Sequence, residues 1–423
     1  MKIKIREMDY EEVLKLPGFK TRKPQKPNLI FRTIIKTLCI PDLWKTHFTY
    51  NYIGMEKLGK KEPCLVLMNH SSFIDLEIAE SVMYPRPLNI ICTSDGFVGK
   101  EWLMRHIGCI PTNKFVTDVA MVKDMRYALK TLKSSVLMYP EASYSFDGTA
   151  TPLPDTLGKC LKMLKVPVVM INTYGAFARD PLYNNLQVRK VKVSADVKYL
   201  LSPEQIEKLS VKELNECLRK EFTFDNFRWQ QENDISIKEA FRADYLNRVL
   251  YKCPNCKDER SMEGKGIYLT CHACGKKYEL TDRGFLKALN GKTEFSHIPD
   301  WYQWQREEVR EEIETGTYFL DVEADIYMMV NMDCIYKVGS GRLQHNADGF
   351  SLSGCDGKLH YRQKTSLSYS LYSDYYWYEI GDMICIGDMK VLYYLFPKVS
   401  YDVAAKTRIA AEELYKLARA SSK

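Results

Sequence analysis

Three stretches of this 423-residue chain combine side-chain types and spacings that could carry chemistry. The first is Met68-Asn69-His70-Ser71-Ser72-Phe73-Ile74-Asp75. An apolar run delivers His70 to the end of a predicted strand, Ser71 or Ser72 is placed to cap the helix that follows, and Asp75 falls in its first turn. An imidazole at such a junction can turn back onto the carboxylate. The carboxylate then fixes the tautomer, and the other ring nitrogen is left free to take a proton. A histidine five residues before an aspartate is by itself a common structural pair, so its meaning depends on its surroundings. The second stretch, Tyr139-Pro140-Glu141-Ala142-Ser143-Tyr144-Ser145, again follows an apolar run.

The third is a cysteine cluster. Cys253-Pro254-Asn255-Cys256 is followed, after 14 intervening residues, by Cys271-His272-Ala273-Cys274-Gly275. Each C-x-x-C hook turns tightly enough for both thiolates to reach one ion, and the linker forms the hairpin between hooks. Gly275 suits a knuckle that needs an unusual backbone angle. Four thiolates favour zinc, with iron as the lesser alternative and two separate redox pairs as the bland one. The cluster resembles a zinc ribbon, a closed site without an open coordination position, which implies a structural Zn2+ held by Cys253, Cys256, Cys271 and Cys274.

Two further blocks flank the Glu141 stretch. Gly96-Phe97-Val98-Gly99-Lys100 runs to Gly108-Cys109-Ile110-Pro111-Thr112-Asn113-Lys114, and Val166-Pro167-Val168-Val169-Met170-Ile171-Asn172 comes later. Four blocks in this order resemble the glycerolipid acyltransferases, whose best-known members acylate lysophosphatidic acid. The first block matches the N-H-x-x-x-x-D of that family, and the third resembles F-P-E-G-T-R-S with Glu141 and Ser145 retained. The second ends in Lys114, where an arginine is frequent, and the fourth resembles V-P-V-x-P-V. The blocks span about Lys61 to Tyr174.

The resemblance implies an O-acyltransferase without a covalent acyl-enzyme, and no G-x-S-x-G elbow is present to suggest otherwise. His70, oriented by Asp75, is the expected general base on an acceptor hydroxyl. Backbone N–H groups near His70 or the third block are expected to stabilise the oxyanion. Asn69, Glu141, Ser143 and Ser145 are the expected substrate-binding or loop-ordering residues. Three positions depart from the pattern: Ala142 replaces Gly, Ser143 replaces Thr, and Tyr144 replaces Arg. An arginine grips phosphate bidentately and a tyrosine cannot supply that charge, so Lys100 and Lys114 are the candidate cations for the acceptor. His106, Cys92 and Cys109 read as structural residues, and the Tyr375-Tyr376-Trp377-Tyr378 cluster as packing.

The elements that must position these residues suggest an α/β fold. Candidate strands are Cys64–Met68, Leu88–Ile91, Ser135–Tyr139, Val166–Asn172 and Val188–Val193, interleaved with helical patterns at Ile74–Met83, Lys100–Arg105 and Val116–Leu132. Amphipathic helices are predicted over Pro203–Arg219 and Ser236–Leu250. The expected organisation is a basic amphipathic region (1–60), an acyltransferase-like core with a mixed sheet and flanking helices (61–250), and a zinc ribbon (251–282). A helical connector (283–316) and a β-rich module ending in a helix (317–423) follow. In that last module turns are expected at Val338–Gly341, Asp348–Gly349 and Asp356–Gly357. Its order of elements, strands and then one helix, faintly resembles pleckstrin-homology-like domains.

Composition narrows the class. The chain is 45% hydrophobic and 27% charged, as globular proteins are, and no stretch reaches the roughly 18 uninterrupted apolar residues of a spanning helix. The first residues show no secretory signal, and 13 cysteines point to a reducing compartment. The net charge of +7 lies wholly in residues 1–60, which hold 13 basic and 6 acidic residues. Within them Ile30, Phe31, Ile34, Ile35 and Leu38 recur at helical spacing, with Arg32 and Lys36 on another side. That pattern fits a helix lying in an anionic lipid interface or one packed on the core. The expectation is a cytoplasmic enzyme docked at the inner face of the cell membrane, with acyl-CoA or acyl carrier protein as donor and a lysophospholipid as acceptor. The rivals are a non-phospholipid acceptor, and a zinc-ribbon protein that binds nucleic acid or lipid around a relic core. The ribbon's small net charge and lack of an aromatic platform disfavour nucleic acid.

Overall fold

Six strands between residues 61 and 201 and an edge strand before them assemble into one seven-stranded sheet in the computed structural model, which describes residues 3–116 and 119–420. Its order is Thr49–Ile53, Ser194–Leu201, Val168–Tyr174, Leu65–Met68, Ser135–Met138, Leu88–Thr93 and Cys109–Thr112. The last five strands are mutually parallel, while Ser194–Leu201 runs antiparallel to Val168–Tyr174 and parallel to Thr49–Ile53. Parallel strands covered on both faces read as unbroken apolar text, as in Leu65-Val66-Leu67-Met68. Leu65 and Leu67 feed the core on one face, and Val66 and Met68 the core on the other. The parallel arrangement also brings the C-terminal ends of neighbouring strands together, and those ends carry His70, Tyr139 and Tyr174.

Several expectations shift. Thr49–Ile53 belongs to this sheet although it lies before residue 61; every residue of this edge strand is exposed, so no apolar alternation marks it. The strand expected at Val188–Val193 falls later, at Ser194–Leu201, and Val193 only leads into it through backbone bonds with Thr46 and Thr49. Pro203–Arg219 is two helices, Pro203–Lys208 and Val211–Phe222, because Ser210 forms a capping box with Glu213 and restarts the helix. Ser236–Leu250 is no helix: it is a series of turns with a short 3-10 stretch at Leu246–Arg248. Its amides are committed elsewhere, Ala243 N–H to Gly266 O and Tyr245 N–H to Gly264 O. Gly264 lies so close to Ala243 O and Leu246 N that a Cβ there would collide with them.

The cysteine region is a four-stranded antiparallel sheet, Met262–Lys265, Tyr268–Cys271, Lys277–Leu280 and Leu286–Ala288. It does not stand apart. Leu269, Cys271 and Tyr278 share a core with Phe146, Phe177 and Phe227 of the first domain, Trp301 of the Ile298–Glu314 helix, and Ile409 of the C-terminal helix Ala404–Ala420.

Residues 320–397 form seven antiparallel strands in the order Leu359–Lys364, Gly349–Gly354, Ile335–Asn346, Leu320–Met329, Leu392–Pro397, Gly381–Gly387 and Tyr372–Trp377. The C-terminal helix follows them, the element order on which the pleckstrin-homology resemblance rested. The turn expected at Val338–Gly341 is instead a bulged part of a continuous strand. Gly341 packs against Ser353 O and the backbone of Gly354, an approach that only glycine allows. The first residues of the chain join this distant sheet, since Ile5–Glu7 pairs in parallel with Ile335–Lys337. The 1–60 segment is therefore divided between two domains. Asp95 fixes the β module to the first domain: its buried carboxylate accepts from Tyr372 Oη (2.8 Å), Trp377 Nε1 (3.2 Å) and Tyr394 Oη (3.4 Å).

Candidate active site

His70 follows the end of the Leu65–Met68 strand, and Asp75 sits in the first turn of the Ile74–Met83 helix. Asp75 is fully buried, so its charge needs donors. Its Oδ2 accepts from Ser71 N (2.6 Å), Ser72 N (2.9 Å) and the His70 Nδ1 side (3.3 Å). The aspartate thus does much of what a serine cap was expected to do, aided by the helix dipole; Ser72 Oγ contributes one longer bond, from Ile74 N at 3.3 Å. With Nδ1 engaged, Nε2 is the ring nitrogen left available.

A second buried carboxylate ties the third block to the first. Glu141 Oε2 accepts the His70 backbone N–H at 2.8 Å, and Oε1 accepts Thr151 N at 2.8 Å and Thr151 Oγ1 at 3.2 Å. Burial pushes the Glu141 carboxyl up to about 7 against the pull of these donors. Ser145 closes the loop: its N–H donates to His70 O, and its hydroxyl lies between Thr149 O (2.6 Å) and Gly148 N (2.9 Å). Asn69 Oδ1 accepts from Thr173 N at 2.9 Å, which joins the first block to the fourth. Ser143 is buried, with its hydroxyl turned to Tyr144 O. Ala142 adopts φ +57°, a left-handed conformation that explains why glycine suits the equivalent place in the resembling family.

No spacing in the sequence marks Tyr139 and Tyr144 as ring neighbours of His70. The His70 ring stacks on Tyr139 at 4.1 Å between centroids, and Tyr144 lies against it at 4.1 Å and 32°. Tyr144, the residue in place of an arginine, therefore covers the imidazole, and the His70 side chain is 17% exposed. Stacking needs contact across two strand ends, which no spacing reveals. Lys114 stands over the Tyr372 ring at 4.2 Å, and its charge acts on both His70 and Asp374. Lys100 opens the Glu101–His106 helix, where its charge is felt at Cys109. The backbone N–H groups of His70, Ser71 and Ser72 already donate to carboxylates, so those three are not free to form the expected oxyanion hole.

The four cysteines converge. Their Sγ atoms lie within 4.8 Å of one another, with Cys253–Cys274 and Cys256–Cys271 each at 3.7 Å. A tetrahedral ion with metal–sulfur bonds near 2.3 Å needs an S–S edge of about 3.8 Å, so the set fits a metal ion. The residue after each second cysteine is left-handed, Gly275 at φ +72° and Lys257 at φ +63°. The first knuckle tolerates a lysine there, whose ammonium pairs with Glu308 at 2.6 Å.

Residues 49–173 match the family model described as Acyltransferase. Among solved structures, the 1-acyl-sn-glycerophosphate (LPA) acyltransferase PlsC from Thermotoga maritima is similar at 16% identity and a TM-score of 0.36. The alignment covers 46% of this chain and 81% of that one. No curated protein matches the chain.

Burial lowers the His70 pKa below 6.5, outweighing the raising effect of Asp75. A histidine with a depressed folded pKa contributes stability above its unfolded pKa, and loses it as pH falls from there toward the folded value. Ring-nitrogen NMR of the folded protein should find the His70 midpoint below 6.5; a midpoint above 6.5 would mean that Asp75 outweighs burial.

Proposed function

From the premise that residues 49–173 are an acyltransferase domain, we propose that the enzyme moves a fatty acyl chain from acyl-CoA or acyl carrier protein to a hydroxyl of a lysophospholipid. The observation that carries this reading is the His70–Asp75 pair, 3.3 Å apart, with Nε2 left available at the mouth of the strand ends. The acceptor hydroxyl gives its proton to Nε2 as its oxygen bonds to the thioester carbonyl carbon. The tetrahedral intermediate then collapses, the C–S bond breaks, and the departing sulfur takes the proton from the imidazolium, leaving as a thiol and restoring the neutral base. Asp75 steadies that imidazolium, and Glu141 holds the backbone on which the ring is mounted. Asn69, Ser143 and Ser145 shape the acceptor's surroundings, while Lys114 and Lys100 supply positive charge for a phosphate.

The reaction takes place at an anionic membrane face on the cytoplasmic side. The Leu29–Lys45 helix supports this: Ile35, Cys39 and Leu43 turn inward, whereas Ile30 (70%), Ile34 (48%) and Leu38 (73%) are exposed along one stripe. Arg32 and Lys36 reach the carbonyls of Pro85 and Ser81 near the end of the adjoining helix, so the cations anchor the helix and its apolar stripe faces outward. Trp102 (66%) and Phe73 (61%) extend the apolar surface, and Phe73 touches Tyr144 beside His70. No helix among the described residues is long and apolar enough to cross a membrane. An apolar stripe of this kind suits lipid contact.

Zinc in the four-cysteine site has a structural role: it would cross-link the Cys253–Cys256 knuckle to the turn between the Tyr268–Cys271 and Lys277–Leu280 strands, whose core is shared with the catalytic domain. Lys252, Lys257 and Lys276 pair with Glu259, Glu308 and Glu294 within the chain, which weighs against a nucleic-acid role for the ribbon. A second reading, a non-phospholipid acceptor, is favoured by Tyr144, which covers the imidazole where an arginine would grip phosphate.

The test is thiol release from an acyl thioester with lysophosphatidic acid in anionic vesicles. Release should depend on the acceptor and fall by at least about 10²-fold in His70→Ala, the lower end of general-base effects. Equal release by the two proteins would refute the mechanism, and release with only neutral acceptors would favour the second reading. Metal analysis should find one zinc per chain, and Cys271→Ser should lower both zinc content and thermal midpoint; unchanged stability without metal would refute a structural role.

A further inference from the structure

We infer that Asp180 and Arg179 are positioning residues that hold the His70–Asp75 pair and link it to the lipid-facing helix Leu29–Lys45. This inference rests on the reading of His70 as the base. Neither residue lies in any of the four sequence blocks, and both are almost fully buried, at 3% exposure each. Burying two charged side chains is costly unless they are paired and used.

The connections form a continuous series. Ser72, fully buried, gives its backbone N–H to Asp75 Oδ2 at 2.9 Å, and its hydroxyl bonds Asp180 Oδ1. Ser72 is therefore held from two directions, so the donor that stabilises Asp75 cannot drift without breaking the bond to Asp180. Asp180 Oδ2 accepts Arg179 Nη1 at 2.9 Å. The other guanidinium branch, Nη2, reaches Asp42 Oδ2 at 2.5 Å. Asp42 lies on the Leu29–Lys45 helix, four residues beyond exposed Leu38, and its side chain is 35% exposed.

The series thus runs from an outward-facing helix through Asp42, Arg179, Asp180 and Ser72 to Asp75 and the imidazole. Its parts are short, directional and enclosed, and a shift of the helix would be transmitted to the donor that holds Asp75. The charged groups that bear on Asp180 are Arg179 and Asp75, while Glu77 feels Asp42, Arg179 and Asp180 together. Burial pushes Asp180 up to about 7, with Arg179 and the Ser72 hydroxyl opposing it. Loosening Ser72 would let Asp75 drift from its 3.3 Å contact with Nδ1, the contact that raises the His70 pKa, and so would lower that pKa further.

The experiment measures kcat and KM for palmitoyl-coenzyme A, with lysophosphatidic acid in phosphatidylglycerol vesicles, across the pH range in which histidine titrates. Asp180→Asn should lower kcat about tenfold with KM within about twofold, because it misplaces the base and leaves substrate contacts intact. The acid limb of its kcat profile should move to lower pH. A merely structural role would reduce the amount of active protein, scaling the whole profile and leaving that limb in place. Asp42→Asn, at the half-exposed end, serves if the buried variant folds poorly; it should shift the limb in the same direction with a smaller fall in kcat. Wild-type kinetics, or uniform scaling, in the folded variants would overturn the inference. His70→Ala in the same assay separates the two levels. Activity that survives His70→Ala refutes the base itself, whereas a His70-dependent enzyme indifferent to Asp180 and Asp42 refutes only the link.

Discussion

A carboxylate with no exposed surface must be met by donors, and Asp75 imposes that requirement on everything around it. Its oxygen can be satisfied only if the chain turns sharply after the Leu65–Met68 strand, so that the amides of Ser71 and Ser72 and the imidazole of His70 converge on one point. Glu141 repeats the solution one strand away, receiving the amides of His70 and Thr151. Two buried acids therefore bind two loops together, and the histidine is held between them from its backbone and its ring. A surface pair with the same spacing would be screened by water and would fix nothing.

The added modules brace this centre. The C-terminal helix places Arg408 over the Phe146 ring at 4.4 Å and reaches Tyr144 O at 3.4 Å, so it supports the loop that covers His70. That arginine pairs with Glu412, and Glu412 and Glu413 are both nearly fully buried against Arg306 of the Ile298–Glu314 helix. Tyr369 of the β module reaches Pro140 O at 3.4 Å, and Asp95 gathers three donors from the same module. The β module, the C-terminal helix and the first domain are thus joined through buried polar contacts, and the four-cysteine sheet through the apolar core it shares with them.

The parts legible in the sequence were local ones. His70 and Asp75 lie five residues apart, and the two C-x-x-C hooks are each complete within four residues, so spacing marks each set, although the histidine–aspartate pair gains its meaning only from the blocks around it. The parallel strands were legible because burial on both faces leaves apolar runs. What escaped depended on contacts made far along the chain. Ile5–Glu7 pairs with a strand some 330 residues away, and Ser236–Leu250 abandoned a helical pattern because Gly264 and Gly266 took its amides. Tyr139 and Tyr144, from the end of the Ser135–Met138 strand and the loop after it, close on His70 at the end of the neighbouring strand, and Asp180 reaches Ser72 across the fold. None of these partners leaves a periodic trace.

The most direct test of the account is acceptor-dependent thiol release by Asp75→Asn, measured beside its thermal midpoint. Asparagine nearly preserves the shape and can keep its oxygen on the three donors, but it removes the negative charge beside the imidazole. The account predicts a folded protein whose release falls by about 10²- to 10⁴-fold. A folded Asp75→Asn enzyme that releases thiol at the wild-type rate would contradict it.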